Sequence, residues 1–231
     1  MEELAFKTAV ELASGIRNKT YSSLELTQLY IDRIEEKDEH INAVVVRIFD
    51  RALEAARQAD VQLTKGEIRG PLHGVPMTIK ESYVIANTPT TFGLEEFRNN
   101  VPKQDGLTVL RFKAAGAHFL GKTNVPVSLA DFQSYNPIYG VTGNPWNLEK
   151  TPGGSSGGSA AALAAGFTAL EAGSDIGDRF AIQRIFVEFL GTNPPGALFQ
   201  CRAMNWLNII LNRTLQCVDR LLGVQRIFRW P

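Results

Sequence analysis

The chain has 231 residues, of which 44% are hydrophobic and 21% are charged. This length and composition are those of a globular protein with one large domain or two small ones around a sizeable core. The formal net charge is zero, which excludes the basic excess of a protein that binds nucleic acids through its overall charge.

The N-terminal stretch MEELAFKTAVELASG is acidic and amphipathic, and it lacks the basic region and apolar run of a signal peptide. No apolar run reaches the roughly 18–20 residues that a membrane span needs. The two cysteines, Cys201 and Cys217, form neither a metal-binding pattern nor a disulfide framework. We therefore expect a reduced, cytoplasmic protein with no nucleic-acid partner and no membrane contact. The sequence leaves its oligomeric state open.

Apolar periodicity predicts alternating helices and strands over most of the chain. The predicted helices are 3–14, 22–36, 51–60, 107–116 and 160–170, and the predicted strands are 41–49, 77–85 and 117–124, followed by a strand and turn at 171–177. In the second helix, Ser22 and Glu25 match a capping box. This alternation predicts an α/β domain with a mixed or parallel sheet.

The stretch PGGSSGGSAA, Pro152–Ala161, has three interpretations: a flexible linker, a phosphate-binding loop or part of a catalytic loop. Its entry through a proline and the Ala-rich helix directly behind it disfavour a linker. A catalytic loop is favoured, because a glycine-flanked serine beside a helix N-terminus is sterically open and faces backbone amides.

The phosphate-binding interpretation comes from a different segment. Gly116–Thr123, GAHFLGKT, matches the spacing G-x-x-x-x-G-K-[ST]. The intervening residues have the pattern of a strand rather than a loop, and residues 124–126, Asn-Val-Pro, interrupt the helix that should follow. We interpret the match as a coincidence and expect Lys122 to be a structural or surface residue at a strand end.

A serine nucleophile needs a base. His40, His73 and His118 lie in no motif that marks one of them as that base, although a Ser-His-Asp arrangement stays open. Lys80 is the other candidate, because it follows the apolar run GVPMTI, which would desolvate its amine. Alternatively, Lys80 forms a salt bridge with Glu81 or another acid, and the pattern alone does not decide between the two.

Several spaced motifs together resemble the amidase signature family of hydrolases: GVPMTIKES, LGKTNVPVSLADFQSYNPIYGVTGNPWNLEKTPGGSSGGSAAALAAG and AGSDIG. The resemblance covers most of residues 1–177, and the motifs agree in order and separation. It implies a three-layer α/β/α fold around a mixed sheet. It also implies hydrolysis of carboxylic amide C–N bonds through a Ser–Ser–Lys triad, without a metal or cofactor. The implied partner is a small-molecule amide substrate, which in this family is glutamine, a small aliphatic or aryl amide, or a lipid amide.

The resemblance also implies a role for individual residues. Lys80 matches the lysine base of the family, and Ser155 matches the bridging serine, which in the family follows a cis peptide bond. The proton would pass from the nucleophile through Ser155 to Lys80. Ser156 is then a supporting hydrogen-bonding residue, and Ile176 with Gly177 retains half of the turn that forms the oxyanion site.

The expected nucleophile is missing. In the family it is the last residue of a G-[ST]-D-I-G-G-S segment, which here is GSDIGDR, so its position falls on Arg179 and the second glycine is replaced by Asp178. An arginine cannot attack a carbonyl, and an aspartate places a negative charge where an oxyanion must develop. The triad is therefore predicted to be incomplete.

The composition changes at the same place. Residues 178–231 contain seven arginines and no lysine, whereas all nine lysines lie in residues 1–177. The string GDRFAIQRIFVEFLGTNPPG admits codons that translate as the family-like GGSIRNPAHFCGVFGHKPSW when one G is inserted after the first codon. The string CVDRLLGVQRIF likewise admits codons that translate, in the same shifted frame, as the family-like VCGPLARSAEDL. We therefore predict that 1–177 is the N-terminal part of an amidase signature domain, and that 178–231 is an out-of-frame tail with no native domain.

These observations predict an incomplete amidase that is inactive as given. The alternative is a non-catalytic binding or scaffold protein derived from the same fold. A P-loop nucleotide binder is the least favoured interpretation.

Overall fold

The computed structural model describes residues 2–174, in which a mixed sheet is flanked by helices. The helices are α1 (Ala9–Arg17), α2 (Ser23–Ile41), α3 (Phe49–Thr64), α4 (Leu107–Ala114) and α5 (Gly157–Ala164). The strands are β1 (Val44–Arg47), β2 (Pro76–Lys80), β3 (His118–Thr123), β4 (Tyr135–Asn136), β5 (Gly140–Val141) and β6 (Glu171–Ala172). Short 3₁₀ helices are Glu2–Phe6, Glu95–Phe97 and Val127–Leu129.

The ends of the first helices follow from local sequence signals. The capping box predicted at Ser22 is present at the start of α2, and Thr8 forms a second one at the start of α1. The single helix predicted over 3–14 is wrong: because Thr8 caps a new helix, a 3₁₀ turn precedes α1. Helix α2 continues to Ile41 and ends at Asn42, whose φ of 57° is left-handed. The strand predicted over 41–49 is therefore reduced to β1.

The main sheet has the order β1-β3-β2-β6. Strand β1 is antiparallel to β3, whereas β2 is parallel to both β3 and β6, so the predicted mixed sheet is confirmed. Strand β2 is buried at every position because it lies inside the sheet. The strand predicted over 77–85 ends at Lys80, where the Tyr83 amide donates to the Lys80 carbonyl (2.9 Å) in a turn.

The core between helices and sheet is formed by fully buried apolar side chains. They include Leu12, Ile16, Leu26, Tyr30, Ile34, Met77, Ile79, Phe112 and Phe167. Helix α5 is also held at its C-terminal end by α2, because Arg33 donates to the carbonyls of Ala165 (2.9 Å) and Gly166 (3.0 Å). The same guanidinium lies over the Phe6 ring, 5.1 Å from its centre. The C-terminal end of α5 is thereby fixed to α2.

The segment between β3 and α5 contains the short pair β4 and β5 and is ordered by asparagine side chains. Asn124 donates to the Thr142 hydroxyl (3.0 Å) and accepts from Asn136 (2.8 Å). Asn42 donates to the Tyr139 carbonyl (2.7 Å). These bonds tie the segment to the ends of α2 and β3.

Candidate active site

Lys80 is the last residue of β2 and has no solvent-exposed surface. Its Nζ donates to the Ser155 hydroxyl at 2.7 Å, and to the Ser174 hydroxyl at 2.9 Å and carbonyl at 3.2 Å. Strand alternation directs Glu81 to the other face of the sheet, where it accepts from the backbone amides of Thr91 (2.6 Å) and Phe92 (3.0 Å). These contacts disfavour an ion pair between Lys80 and Glu81, and the role of Lys80 as a base stays a prediction.

Ser155 is 2% exposed and lies two residues before the first residue of α5, and the Gly154–Ser155 peptide bond is cis, as the resemblance implied. The stretch is closely packed against neighbouring backbone. A Cβ on Gly154 would lie 2.6 Å from the Asp131 carbonyl oxygen and 2.6 Å from the Gln133 amide nitrogen. The linker interpretation is therefore wrong, since the stretch is packed between α5 and the loop before β4.

Ser156 is the N-cap residue of α5 and is 1% exposed. Its hydroxyl donates to the Ser174 carbonyl (3.0 Å) and accepts from the Ser174 amide (3.2 Å). Through these bonds it fixes the backbone of Ser174, whose carbonyl and hydroxyl accept from Lys80. This geometry is consistent with the supporting role implied for Ser156, which stays a prediction.

Four predicted site residues lie outside the described residues: Ile176, Gly177, Asp178 and Arg179. The structure therefore brings Lys80, Ser155 and Ser156 together and leaves the oxyanion turn and the nucleophile position untested. Ser174 belongs to the same cluster and was missed. Its position in the motif AGSDIG was the available signal.

A buried carboxyl group, Glu171 in β6, was also missed. It is 3% exposed and accepts hydrogen bonds from three hydroxyl groups. Its Oε1 accepts from Thr123 (2.9 Å) and Ser159 (2.8 Å), and its Oε2 accepts from Thr78. Burial raises the pKa of Glu171 to about 7, and the three hydroxyls and the charge of Lys80 act in the opposite direction. The sequence carried no signal for this arrangement, because its parts come from four different elements.

Lys122 is fully buried inside β3, so the expectation of a surface position is wrong and that of a structural position is supported. Its Nζ donates to the Pro89 carbonyl and to the Thr90 hydroxyl (2.9 Å). Burial lowers the pKa of Lys122 to about 8, and the charge of Glu81 acts in the opposite direction. Most of the segment that matched the phosphate-loop spacing is this strand, and the lysine amine is bonded to the protein interior.

Two of the three histidines have partners inside the protein, and the third is exposed. His73 Nδ1 accepts from the Arg69 amide (3.2 Å), and His73 Nε2 lies 3.0 Å from the Ala59 carbonyl oxygen. His118 Nε2 lies 2.9 Å from the Thr27 hydroxyl, and burial lowers the pKa of His118 to about 3. His40 lies exposed in the last turn of α2. These partners give no support to a Ser-His-Asp arrangement.

Within residues 2–174, no group of His, Cys, Asp and Glu side chains could hold a metal ion. In the same part of the chain, no helix is both long and apolar enough to cross a membrane.

Known proteins share this site region. Residues 25–179 match the family model described as Amidase. The chain is 39% identical over 194 residues to the A subunit of the glutamyl-tRNA(Gln) amidotransferase of Acidothermus cellulolyticus, covering 84% of this chain and 38% of that protein. It is 40% identical over 198 residues to fatty-acid amide hydrolase 2-A of Danio rerio, covering 83% of this chain and 37% of that protein.

Two solved structures are similar to this chain. A fatty acid amide hydrolase superimposes with a TM-score of 0.73 at 31% identity, over 75% of this chain and 31% of that chain. A bacterial aryl acylamidase of the amidase signature family superimposes with a TM-score of 0.68 at 32% identity, over 71% and 34% of the two chains. The α/β fold class is thereby confirmed.

The chain spans less than two fifths of the length of these relatives, whose family consists of hydrolases that act on C–N bonds. Because the family model matches most of the chain, and does so across both Lys80 and Ser155, the chain belongs to the amidase signature family.

Proposed function

We propose that this chain carries the proton-relay half of an amide-hydrolysing Ser–Ser–Lys site and is itself inactive, because it lacks the nucleophile. The observation that carries the proposal is the 2.7 Å contact between Lys80 Nζ and Ser155 Oγ, made between two side chains that are almost fully buried. A lysine amine shielded from water and bonded to a serine hydroxyl is suited to act as a base.

The relay follows from this contact. When the amine of Lys80 is neutral, the same contact lets the Ser155 hydroxyl donate its proton to Nζ. Ser155 then takes a proton from a nucleophilic hydroxyl as that oxygen forms its bond to the amide carbon. In the reverse direction, the ammonium of Lys80 returns the proton through Ser155 to the leaving nitrogen. The two residues transfer a proton and form no covalent bond to the substrate.

The nucleophile position falls on Arg179 in the sequence. A guanidinium stays protonated at ordinary pH and has no lone pair available for attack. Removing the nucleophile from a serine hydrolase reduces turnover on the order of a million-fold. We therefore propose that residues 1–177 form an incomplete amidase domain and that 178–231 are an out-of-frame tail. The match to the family model, residues 25–179, lies almost entirely in the first of these two parts.

The proposed substrate of an intact form is a small-molecule amide. Support comes from the relatives, which are named as a fatty-acid amide hydrolase, an aryl acylamidase and part of a glutamyl-tRNA(Gln) amidotransferase. These names differ in substrate, so the proposal extends to the reaction and not to one amide.

The test inserts one nucleotide into the gene after the codon for Gly177. The insertion introduces Asp178→Gly together with Arg179→Ser and resumes the family-like reading frame. Hydrolysis of 4-nitroacetanilide and of glutamine is measured for the given and the repaired chains. We expect no hydrolysis by the given chain and hydrolysis of one of these amides by the repaired chain. Lys80→Ala in the repaired chain should reduce kcat at least about a hundredfold, the lower end of the contribution of a general base.

Lys113→Ala, at a lysine in α4 outside the site, is the matched control and should leave hydrolysis unchanged. Hydrolysis by the given chain that disappears in its Lys80→Ala variant would contradict the proposal. An inert repaired chain, together with tight binding of amides by the given chain, would favour the scaffold alternative. Loss of measurable ATP binding on Lys122→Ala would favour a nucleotide binder.

A further inference from the structure

The Glu171 carboxyl group is positioned by the elements that build the site. The hydroxyls that donate to it come from Thr78 in β2, Thr123 in β3 and Ser159 in α5. The same strand β2 carries Lys80, and α5 directly follows Ser155 and Ser156. Two of the three donors therefore lie on elements that also fix the base or the bridging serine, and the third lies on the strand beside the base.

Strand register puts this carboxyl group on the face of the sheet that carries Lys80. Thr78 pairs with Glu171 across β2 and β6, and Lys80 follows Thr78 by two residues, so both side chains point to one face. Thr123 is the register partner of Lys80, and its hydroxyl donates to Glu171. Burial raises the pKa of Glu171, and the charge of Lys80 acts in the opposite direction, as expected for an opposite charge on the same face of the sheet.

We propose that Glu171 is a positioning residue that keeps a negative charge near Lys80 and stabilises the ammonium formed when Lys80 takes the proton of Ser155. The proposal rests on the proposed function of Lys80 as the base. In this step the Ser155 O–H bond breaks and an N–H bond forms on Nζ, and Glu171, in its ionised form, takes up no proton. Its effect on the ammonium corresponds to the electrostatic part of what a buried carboxylate does for the histidine of a serine protease.

A purely structural role would not need this charge. Burying a carboxylate costs several kcal/mol in desolvation, and packing between strands is achieved more cheaply by apolar side chains. All three hydroxyls donate to the carboxylate and favour its charged form, against the larger effect of burial, which raises the pKa of Glu171.

The other titratable groups near this carboxyl group are few. Helix α5, whose sequence is GGSAAALA, contributes none. In β3, Lys122 pairs in register with Ile79 and so points to the opposite face, and the lowered pKa of His118 keeps it uncharged at neutral pH. Within residues 2–174, Lys80 is therefore the cation whose charge acts on Glu171.

The test follows the Glu171 carboxyl carbon by NMR in the full chain labelled with ¹³Cδ-glutamate, with the signal assigned from its loss in Glu171→Gln. A pH titration is recorded for the chain and for its Lys80→Met variant. Loss of the lysine charge should move the Glu171 midpoint upward by about 1 to 3 pH units. Lys113→Met, which removes a partly exposed cation of α4 outside the site, should leave the midpoint unchanged.

An unchanged Glu171 midpoint in Lys80→Met would overturn the proposal and leave Glu171 as an anchor between strands. If Lys80→Met does not fold, as judged by its amide spectrum, the reciprocal titration decides. The midpoint of the Lys80 side-chain signal, followed through ¹³Cε, should fall in Glu171→Gln and return in Glu171→Asp, and no change in either would equally overturn the proposal. These titrations require no turnover, so they can fail while the repaired chain hydrolyses amides, and the converse also holds.

Discussion

Two buried lysines in neighbouring strands differ in the chemistry of their partners. Lys80 donates to the hydroxyls of Ser155 and Ser174, which can give up and take up protons. Lys122 donates to the Pro89 carbonyl and the Thr90 hydroxyl, and so fixes the loop that follows β2. Lys80 also donates to a carbonyl, that of Ser174, so each lysine has both kinds of partner and the difference between them is the second hydroxyl at Lys80. Burial therefore does not distinguish the two lysines, and the pair of serine hydroxyls at Lys80 is what supports its proposed role as a base.

The largest expected difference between the two lysines is in stability. Lys122→Met should lower the free energy of unfolding by about 3–5 kcal/mol, because it leaves the buried Glu81 without the opposing charge. Lys80→Met should cost less, since Glu171 has a pKa of about 7 and takes up a proton when the cation is lost. Urea denaturation of both variants at pH 7 measures the difference. Equal losses of unfolding free energy in the two variants would contradict the predicted difference between the two lysines.

The next effect concerns how α5 reaches the sheet. A Cβ on Gly158 would lie 2.3 Å from the Asn124 amide nitrogen and 2.7 Å from its carbonyl oxygen. Gly158→Ala should therefore push α5 away from the end of β3 and lower the free energy of unfolding by about 1–3 kcal/mol. In the repaired chain it should also reduce hydrolysis, because Ser155 moves with the helix.

Gly106→Ala is the matched control for this substitution. The nearest atom to its Cβ would be 3.5 Å away, in Val84, an ordinary contact. Its loss of stability, from a weaker N-cap of α4, should stay below about 1 kcal/mol. Denaturation curves and hydrolysis rates of the two variants separate the effects, and similar behaviour of both would contradict the importance of this close approach.

Opposite pH dependences should separate the two buried groups with shifted pKa values. The pKa of Glu171 is about 7 in the folded chain against an ordinary 4.5, so the folded state holds more protons between these values and the free energy of unfolding falls as pH rises. The pKa of Lys122 is about 8 against 10.5, so the unfolded state holds more protons and the free energy rises with pH across that window.

Each slope can reach about 1.4 kcal/mol per pH unit, the value for one proton. Denaturation at a series of pH values measures both. Glu171→Gln should flatten the slope between pH 4.5 and 7 only, and Lys122→Met the slope between pH 8 and 10.5 only. If either variant changed the slope in the pH window assigned to the other residue, the assignment of these slopes would be wrong.

The smallest expected effect comes from single hydroxyl groups. Ser159→Ala removes one donor to Glu171 and should lower the free energy of unfolding by about 0.5–1.5 kcal/mol. Because that hydrogen bond lowers the pKa of Glu171, its loss should move the Glu171 titration further upward. Thr90→Val removes a hydroxyl partner of Lys122 and should leave the Glu171 titration where it is. A shift in both variants would indicate a general loosening of the sheet.

The sequence predicted those features that depend on neighbouring residues or on a family motif. The capping box at Ser22 involves residues three apart, and it is present. The mixed sheet follows from alternating helices and strands, and it is confirmed. Lys80 and Ser155 were paired through the resemblance, and the structure brings their side chains into contact.

Other features depend on strand order and register, which the sequence did not contain. Glu171 becomes part of the site because β6 pairs with β2 and α5 covers the same face, so no local pattern marks it. Lys122 was predicted to be a structural or surface residue at a strand end; it lies next to the last residue of β3, and the pairing of β3 between β1 and β2 buries it, so only the surface alternative is wrong. The long predicted strands at 41–49 and 77–85 were shortened where a helix or a turn satisfied the backbone instead.

The bonds from Arg33 to the end of α5 bear on the kinetics of folding. Arg33 lies 133 residues before Gly166, and Lys80 lies 75 residues before Ser155, so both contacts close long loops. Loop closure consumes entropy before such contacts can stabilise the chain, and domains rich in them fold slowly. During synthesis, α1 and α2 leave the ribosome long before α5 exists. We therefore expect the apolar faces of α1 and α2 to stay exposed to water until α5 has been synthesised, and a chaperone can bind them during this time.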